Sequence, residues 1–130
     1  MTSQKLIELA AKSRKSAYAP YSGFFVGAAL LCSDGSVYTG CNIENASYTP
    51  TCCAERVALF KAVSEGKREF RAIAIVGGKS DREAHEPCYP CGVCRQVLSE
   101  FSDGELELYF SDGSRATLGE LLPHGFSLKK

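Results

Sequence analysis

The chain has 130 residues, the length of one domain, so a single domain over 1–130 is expected with no room for a second module. Lysine plus arginine and aspartate plus glutamate number 15 each, and the resulting zero net charge argues against a nucleic-acid partner, whose polyphosphate backbone calls for a basic excess. No apolar run approaches the ~20 residues of a membrane span, and Met1 to Lys15 lacks the continuous apolar stretch of a secretory signal, so a cytoplasmic protein with a small-molecule ligand and no membrane contact is expected.

Residues 3–17 place Leu6, Leu9, Ala10 and Ala17 at helical spacing, with Thr2 or Ser3 as N-cap and Pro20 soon after the end. Strands at 25–32 and 37–43 flank Ser33-Asp34-Gly35-Ser36, which reads as a hairpin turn. Within them Cys32 and Cys41 read as small buried hydrophobes. Residues 53–65 form a helix that is apolar on most sides, with Gly66 as its C-cap. Phe70 to Val76 is an almost unbroken apolar run, the pattern of a strand covered on both faces. A polar loop over 77–89 leads to a helix opened by Cys91 and carrying Val93, Val97, Leu98 and Phe101. Leu106 to Phe110 alternates as a strand, Asp112-Gly113 turns, Arg115 to Thr117 gives a short edge strand, and a short helix around Leu118–Leu122 stops before Pro123. Helices interleaved with strands in this order imply a sheet covered by helices on both faces.

Seven cysteines without a secretory signal, and an odd number, argue against a disulfide framework and for metal or redox chemistry. Residues 51–56 read Thr-Cys-Cys-Ala-Glu-Arg and residues 90–96 read Pro-Cys-Gly-Val-Cys-Arg-Gln. Cys91 and Cys94, three apart, face the same way on one helical turn, and Cys53 supplies a third thiol from a separate segment. Three protein ligands leave the fourth tetrahedral position of Zn²⁺ open for water. Glu55 lies roughly 200° round the helix from Cys53, poorly placed to ligate and better placed as a second group near the metal. Three thiolates weaken the metal as a Lewis acid. The two converging helix N-termini offset this with partial positive charge, and Arg56 can donate to a ligating sulfur, unless it merely forms a surface ion pair. Pro87-Cys88-Tyr89-Pro90-Cys91 contains a second C-x-x-C, but Pro90 interrupts the helical path between Cys88 and Cys91, which favours the Cys91/Cys94 pair. Were Cys88 to join the other three, the site would be a closed structural Cys₄ centre. A third reading takes C-x-x-C as a dithiol redox pair. Glu55 has no obvious role in either.

Cys-Ala-Glu combined with Pro-Cys-x-x-Cys matches the known signature of zinc-dependent deaminases, in which the glutamate is general acid and base. Across nearly its whole length the chain resembles the small homotetrameric cytidine deaminases with three cysteine ligands. The matching segments are Ala19-Pro-Tyr-Ser-Gly-Phe-Phe-Val-Gly-Ala-Ala, Gly40-Cys-Asn-Ile-Glu-Asn-Ala, Cys53-Ala-Glu-Arg, Pro90-Cys-Gly-Val-Cys-Arg-Gln and Glu120-Leu-Leu-Pro. The resemblance implies a three-layer α/β/α fold around a mixed sheet of about five strands. It also implies one Zn²⁺ per subunit on Cys53, Cys91 and Cys94, with Glu55 moving protons in the hydrolysis of cytidine and 2′-deoxycytidine. Phe24 matches the aromatic that stacks on the base, where a core residue would otherwise be the default reading, and Phe25 is expected in the core. Asn42 and Glu44, sharing one face of an extended segment, match the ribose contacts; by residue type alone they would be solvated. The Ala54 carbonyl and a Cys91 backbone group match contacts at the amino end, and Tyr48 and Phe126 match residues lent across subunit boundaries. Blasticidin deaminases share the zinc motif, but Asn42-Ile43-Glu44-Asn45 argues against them. Polynucleotide cytosine deaminases are disfavoured by the neutral charge and short length.

Overall fold

The computed structural model describes residues 1–79 and 86–129. Its elements are α1 (Ser3–Ser13), a 3-10 turn (Arg14–Ser16), β1 (Phe24–Cys32), β2 (Val37–Cys41), α2 (Ala54–Ser64), β3 (Phe70–Lys79), α3 (Gly92–Phe101), β4 (Glu107–Phe110), β5 (Arg115–Thr117) and α4 (Leu118–Leu121). The order is the one expected from the sequence. Thr2 caps α1, its hydroxyl accepting from the Lys5 N–H at 3.1 Å, and Thr117 with Glu120 forms a complete capping box on α4.

Three boundaries differ. The first helix tightens after Ser13 and does not run to 17. β2 ends at Cys41, so Asn42 and Ile43 leave the ladder. β3 runs through Gly77 and Gly78 to Lys79, paired along its length with β1. The polar loop expected at 77–89 therefore starts later than its glycines suggested, and its residues 80–85 lie outside the described ones.

The sheet is mixed, in the order β2-β1-β3-β4-β5. β1 is antiparallel to β2 and β3, β3 is parallel to β4, and β4 is antiparallel to β5. Side chains alternate across it with the strand period of two. Ala29, Leu31, Ala72, Ala74 and Val76 meet Leu6, Ile7 and Ala10 of α1 on one face. Ala28, Leu30, Cys32, Ile73 and Ile75 meet Ala58, Leu59 and Ala62 of α2 and Leu98 of α3 on the other. This is a three-layer α/β/α arrangement.

Two glycines set how closely the helices approach. A Cβ on Gly27 would lie 2.0 Å from the Ala10 carbonyl oxygen and 2.7 Å from the Arg14 nitrogen, so α1 rests directly on that strand position. A Cβ on Gly40 would lie 2.5 Å from the Ala58 nitrogen and 2.6 Å from the Ala54 oxygen, which fixes the first turns of α2 against β2. Because backbone cannot retreat as a flexible side chain can, Gly27→Ala is expected to cost about 3 kcal/mol and lower the melting temperature by about 10 °C. A thermal unfolding scan within 2 °C of the parent would show that the contact is not as tight as this.

One helix is less covered than its sequence implied. α2 buries Ala54, Glu55, Ala58, Leu59 and Ala62, but Phe60 is 47% exposed, because the sheet can cover only one face. Val93 of α3 is likewise exposed, and Phe25 is half-buried, not in the core.

Candidate active site

Both cysteine segments end as helix caps. Cys53 is the N-cap of α2, and Cys91 is the N-cap of α3, its sulfur accepting from the Cys94 N–H at 3.5 Å. Cys94 follows at the third helical position, buried. The Cys91 and Cys94 sulfurs are 3.4 Å apart, the Cys53 and Cys91 sulfurs 3.9 Å, and all three lie within 4.8 Å of one another. A tetrahedral zinc with bonds of ~2.3 Å holds its sulfurs ~3.8 Å apart. The donor set fits that ion in number, chemistry and spacing. Cys91 is exposed and Cys94 buried, so the cluster has an open side.

Cys88 stays out of this group. Half-buried against the core beneath α2 and α3, its thiol is pushed up to about 11, chiefly by burial. Cys32 is fully buried and Cys41 half-buried, in line with their reading as small hydrophobes.

Arg56 settles between the two readings open for it. Its Nη2 donates to the Cys53 sulfur at 3.4 Å and to the Thr51 carbonyl at 3.3 Å, and no carboxylate pairs with it among the described residues. The Cys53 thiol is lowered to about 5, first by a hydrogen bond from Cys94 and, against burial, by this guanidinium. Cys94 moves the opposite way, as the donor in that bond and through burial. A metal binds all three as thiolates.

Glu55 sits at the second position of α2, 5% exposed. Burial raises its carboxyl from the ordinary value near 4.5 to about 7, with the Cys53 charge adding to the effect. A carboxyl of that strength beside a hydrolytic metal can both take and return a proton near neutral pH. The Ala54 carbonyl opens the first turn of α2 close to Gly40. The N–H of that residue lies in the first helical turn, where donors lack intrahelical partners.

A second cluster forms beside the first. Ile43 and Cys52 exchange two backbone hydrogen bonds of 2.9 Å, and Tyr18 pairs with Asn42 and Glu44 on either side of Ile43. These tie residues 42–44 to the segment leading into Cys53. Asn42 is buried, its amide donating to the Phe24 carbonyl at 2.9 Å and accepting from the Val26 N–H at 2.8 Å. Glu44 accepts from the Tyr21 and Ser22 N–H groups at 3.0 and 3.1 Å and from the Ser22 hydroxyl. Phe24 exposes 37% of its surface. Tyr21, Ser22, Glu44, Tyr48 and Thr51 line an open cavity of about 350 Å³. Tyr48, at φ 61°, is the one non-glycine residue in the left-handed region among the described residues, and its ring meets Tyr21 edge-on at 6.3 Å. Phe126 stands apart: its carbonyl accepts from the Gln96 side chain on α3 at 3.1 Å while its ring is exposed. Ser22 and Tyr21 were not singled out from the sequence. Their only signal there was membership of the Ala19–Ala29 segment.

A cysteine triad gathered at two helix N-termini, with a buried glutamate in the first turn of α2, fits a hydrolytic zinc site, and comparison with known proteins identifies the family. Residues 1–109 match the family model described as the cytidine and deoxycytidylate deaminase zinc-binding region. The chain belongs to this family. It is 50% identical to the cytidine deaminases of Sporosarcina psychrophila and Halalkalibacterium halodurans, over 98% of this chain and 93% and 96% of theirs. The crystal structure of cytidine deaminase from Burkholderia pseudomallei superposes with a TM-score of 0.89 at 50% identity, covering 97% of this chain and all of that one. The chain is thus a zinc-dependent enzyme of the deaminase family. No helix among the described residues is long and apolar enough to cross a membrane.

Proposed function

We propose that this protein hydrolyses cytidine and 2′-deoxycytidine to uridine and 2′-deoxyuridine with release of ammonia, in pyrimidine salvage. The observation that carries the reading is the buried Glu55 beside the three sulfurs of Cys53, Cys91 and Cys94, since a structural zinc centre has no use for it. The named relatives supply the substrate class.

Zinc held by the three cysteines supplies the Lewis acidity that makes water nucleophilic near neutral pH. Glu55 takes the first proton from the attacking water and passes it to N3 of the cytosine ring, which makes C4 more electrophilic. The water oxygen bonds to C4. Glu55 then removes the remaining hydroxyl proton and delivers it to the 4-amino group, and the C4–N bond breaks to release ammonia. Arg56 holds Cys53 as thiolate and draws charge from it. Phe24 stacks on the base, the Ala54 carbonyl and a Cys91 backbone group meet its amino end, and Asn42 and Glu44 take the ribose. Loss of cytidine absorbance with purified protein, abolished by a strong zinc chelator and restored by Zn²⁺, is the test. An inert protein with one bound zinc would overturn the reading.

The enzyme works as a homotetramer with active sites completed across subunits. A cavity of about 350 Å³ open to solvent cannot bury most of a nucleoside. Tyr18, Tyr21 and Tyr48 beside it, and Phe126 elsewhere on the surface, are each more than half exposed, and Phe60 adds an uncovered apolar position on α2. Identical subunits pairing such surfaces close into symmetric assemblies. Truncation after Pro123, which removes Phe126, is expected to raise the Michaelis constant for cytidine about tenfold with zinc retained. A fully active monomer in sedimentation at assay concentration would refute the shared site. Three ligating thiolates are best kept in a reducing compartment, which supports a cytoplasmic enzyme.

A further inference from the structure

The two backbone polar groups of Phe24 lead to the residues assigned above to the ribose, one directly and one through Ser22. The Phe24 carbonyl accepts from the Asn42 amide at 2.9 Å. The Phe24 N–H donates to the Ser22 hydroxyl oxygen at 3.0 Å, and that hydroxyl in turn donates to Glu44. Glu44 also accepts from the Tyr21 and Ser22 N–H groups. Three of its roughly four acceptor sites are therefore used by its own chain, which leaves one for a ligand hydroxyl.

We propose that Ser22 is a positioning residue that couples the Glu44 carboxylate to the backbone of Phe24, so that sugar recognition and base stacking act as one unit. The proposal rests on the assignment of Phe24 and Glu44 to substrate. A hydroxyl that donates to a carboxylate becomes a better acceptor for the amide behind it, because hydrogen bonds in a chain polarise one another. A sugar hydroxyl bound to Glu44 draws on the same charge and is felt at Phe24 through Ser22. Gly23, at φ 67° and with its N–H on the Ala19 carbonyl at 3.0 Å, closes the turn that brings Ser22 beneath Phe24. The Glu44 carboxyl is held below its ordinary range chiefly by the Ser22 hydroxyl, which agrees with a bond made to the charged form.

Two measurements test the relay. In the ligand-free protein, amide hydrogen exchange at Phe24 should quicken about tenfold in Ser22→Ala and in Glu44→Gln, and stay near the parent rate in Ser22→Thr, which keeps the hydroxyl. In steady-state assays Ser22→Ala should raise KM for cytidine about tenfold with kcat within about twofold, the pattern of lost uniform binding. Glu44→Gln should then cost much less in the Ser22→Ala background than in the parent. Unchanged Phe24 exchange in Ser22→Ala and Glu44→Gln, or KM effects that multiply as independent sites do, would overturn the proposal. Should Ser22→Ala not fold, exchange in Glu44→Gln and Ser22→Thr decides it. A parent protein that does not deaminate cytidine overturns the functional reading alone, since the exchange measurement needs no substrate.

Discussion

Glu55→Gln is expected to retain one zinc per subunit and the parent fold while turnover of cytidine falls by at least about 10³-fold. General acid–base catalysis by one positioned group is worth about 10²–10⁴-fold, and this group serves two successive proton transfers. The substitution preserves volume and removes a carboxyl that burial already disfavours as an anion, so it carries no obvious stability cost. Glu55 is not one of the three sulfur donors, and zinc content should be indifferent to it. Metal analysis, a melting curve and a single-turnover assay on the same preparation separate the possibilities. Retention of a tenth of parental turnover would remove Glu55 from the acid–base role.

The second large effect concerns the thiols. Cys53→Ala, Cys91→Ala and Cys94→Ala should each lose most of the zinc, whereas Cys88→Ala should keep it near one per subunit. Two of three sulfurs cannot complete the donor set, and the Cys91 sulfur also caps α3, while Cys53 stands at the N-cap position of α2. Cys94→Ala should in addition lower stability most, because Cys94 is fully buried. Cys88 lies outside the cluster with its thiol held protonated by burial. Mass spectrometry under native conditions reads the metal directly. Zinc loss in Cys88→Ala would point to a closed four-cysteine centre and remove the open coordination position on which hydrolysis depends.

The element order was legible in the sequence because each element carries a local period. Leu6 and Ala10 repeat on a helix, Phe70 to Val76 fills a doubly covered strand, and Gly66 and Pro123 punctuate helix ends. The metal cluster was legible for the same reason: Cys91 and Cys94 are set by one helical turn, and Pro90 excludes Cys88 from it. Cys53 and Glu55 were legible only by matching Cys-Ala-Glu to the zinc-deaminase signature, since nothing local joins residue 53 to residue 91. Tertiary structure alone decided the rest. Asn42 spends its amide on the backbone of β1, 18 residues away, and Glu44 binds Ser22 across 22 residues. Neither bond leaves a trace in periodicity, because a polar side chain just beyond a strand end reads the same whether it meets water or a buried carbonyl. The exposure of Phe24, Phe60 and Val93 was equally hidden. An apolar residue declares only that it prefers burial; which face the sheet covers is fixed by how strands pair, and the surfaces left over are those available to ligand and to neighbouring subunits.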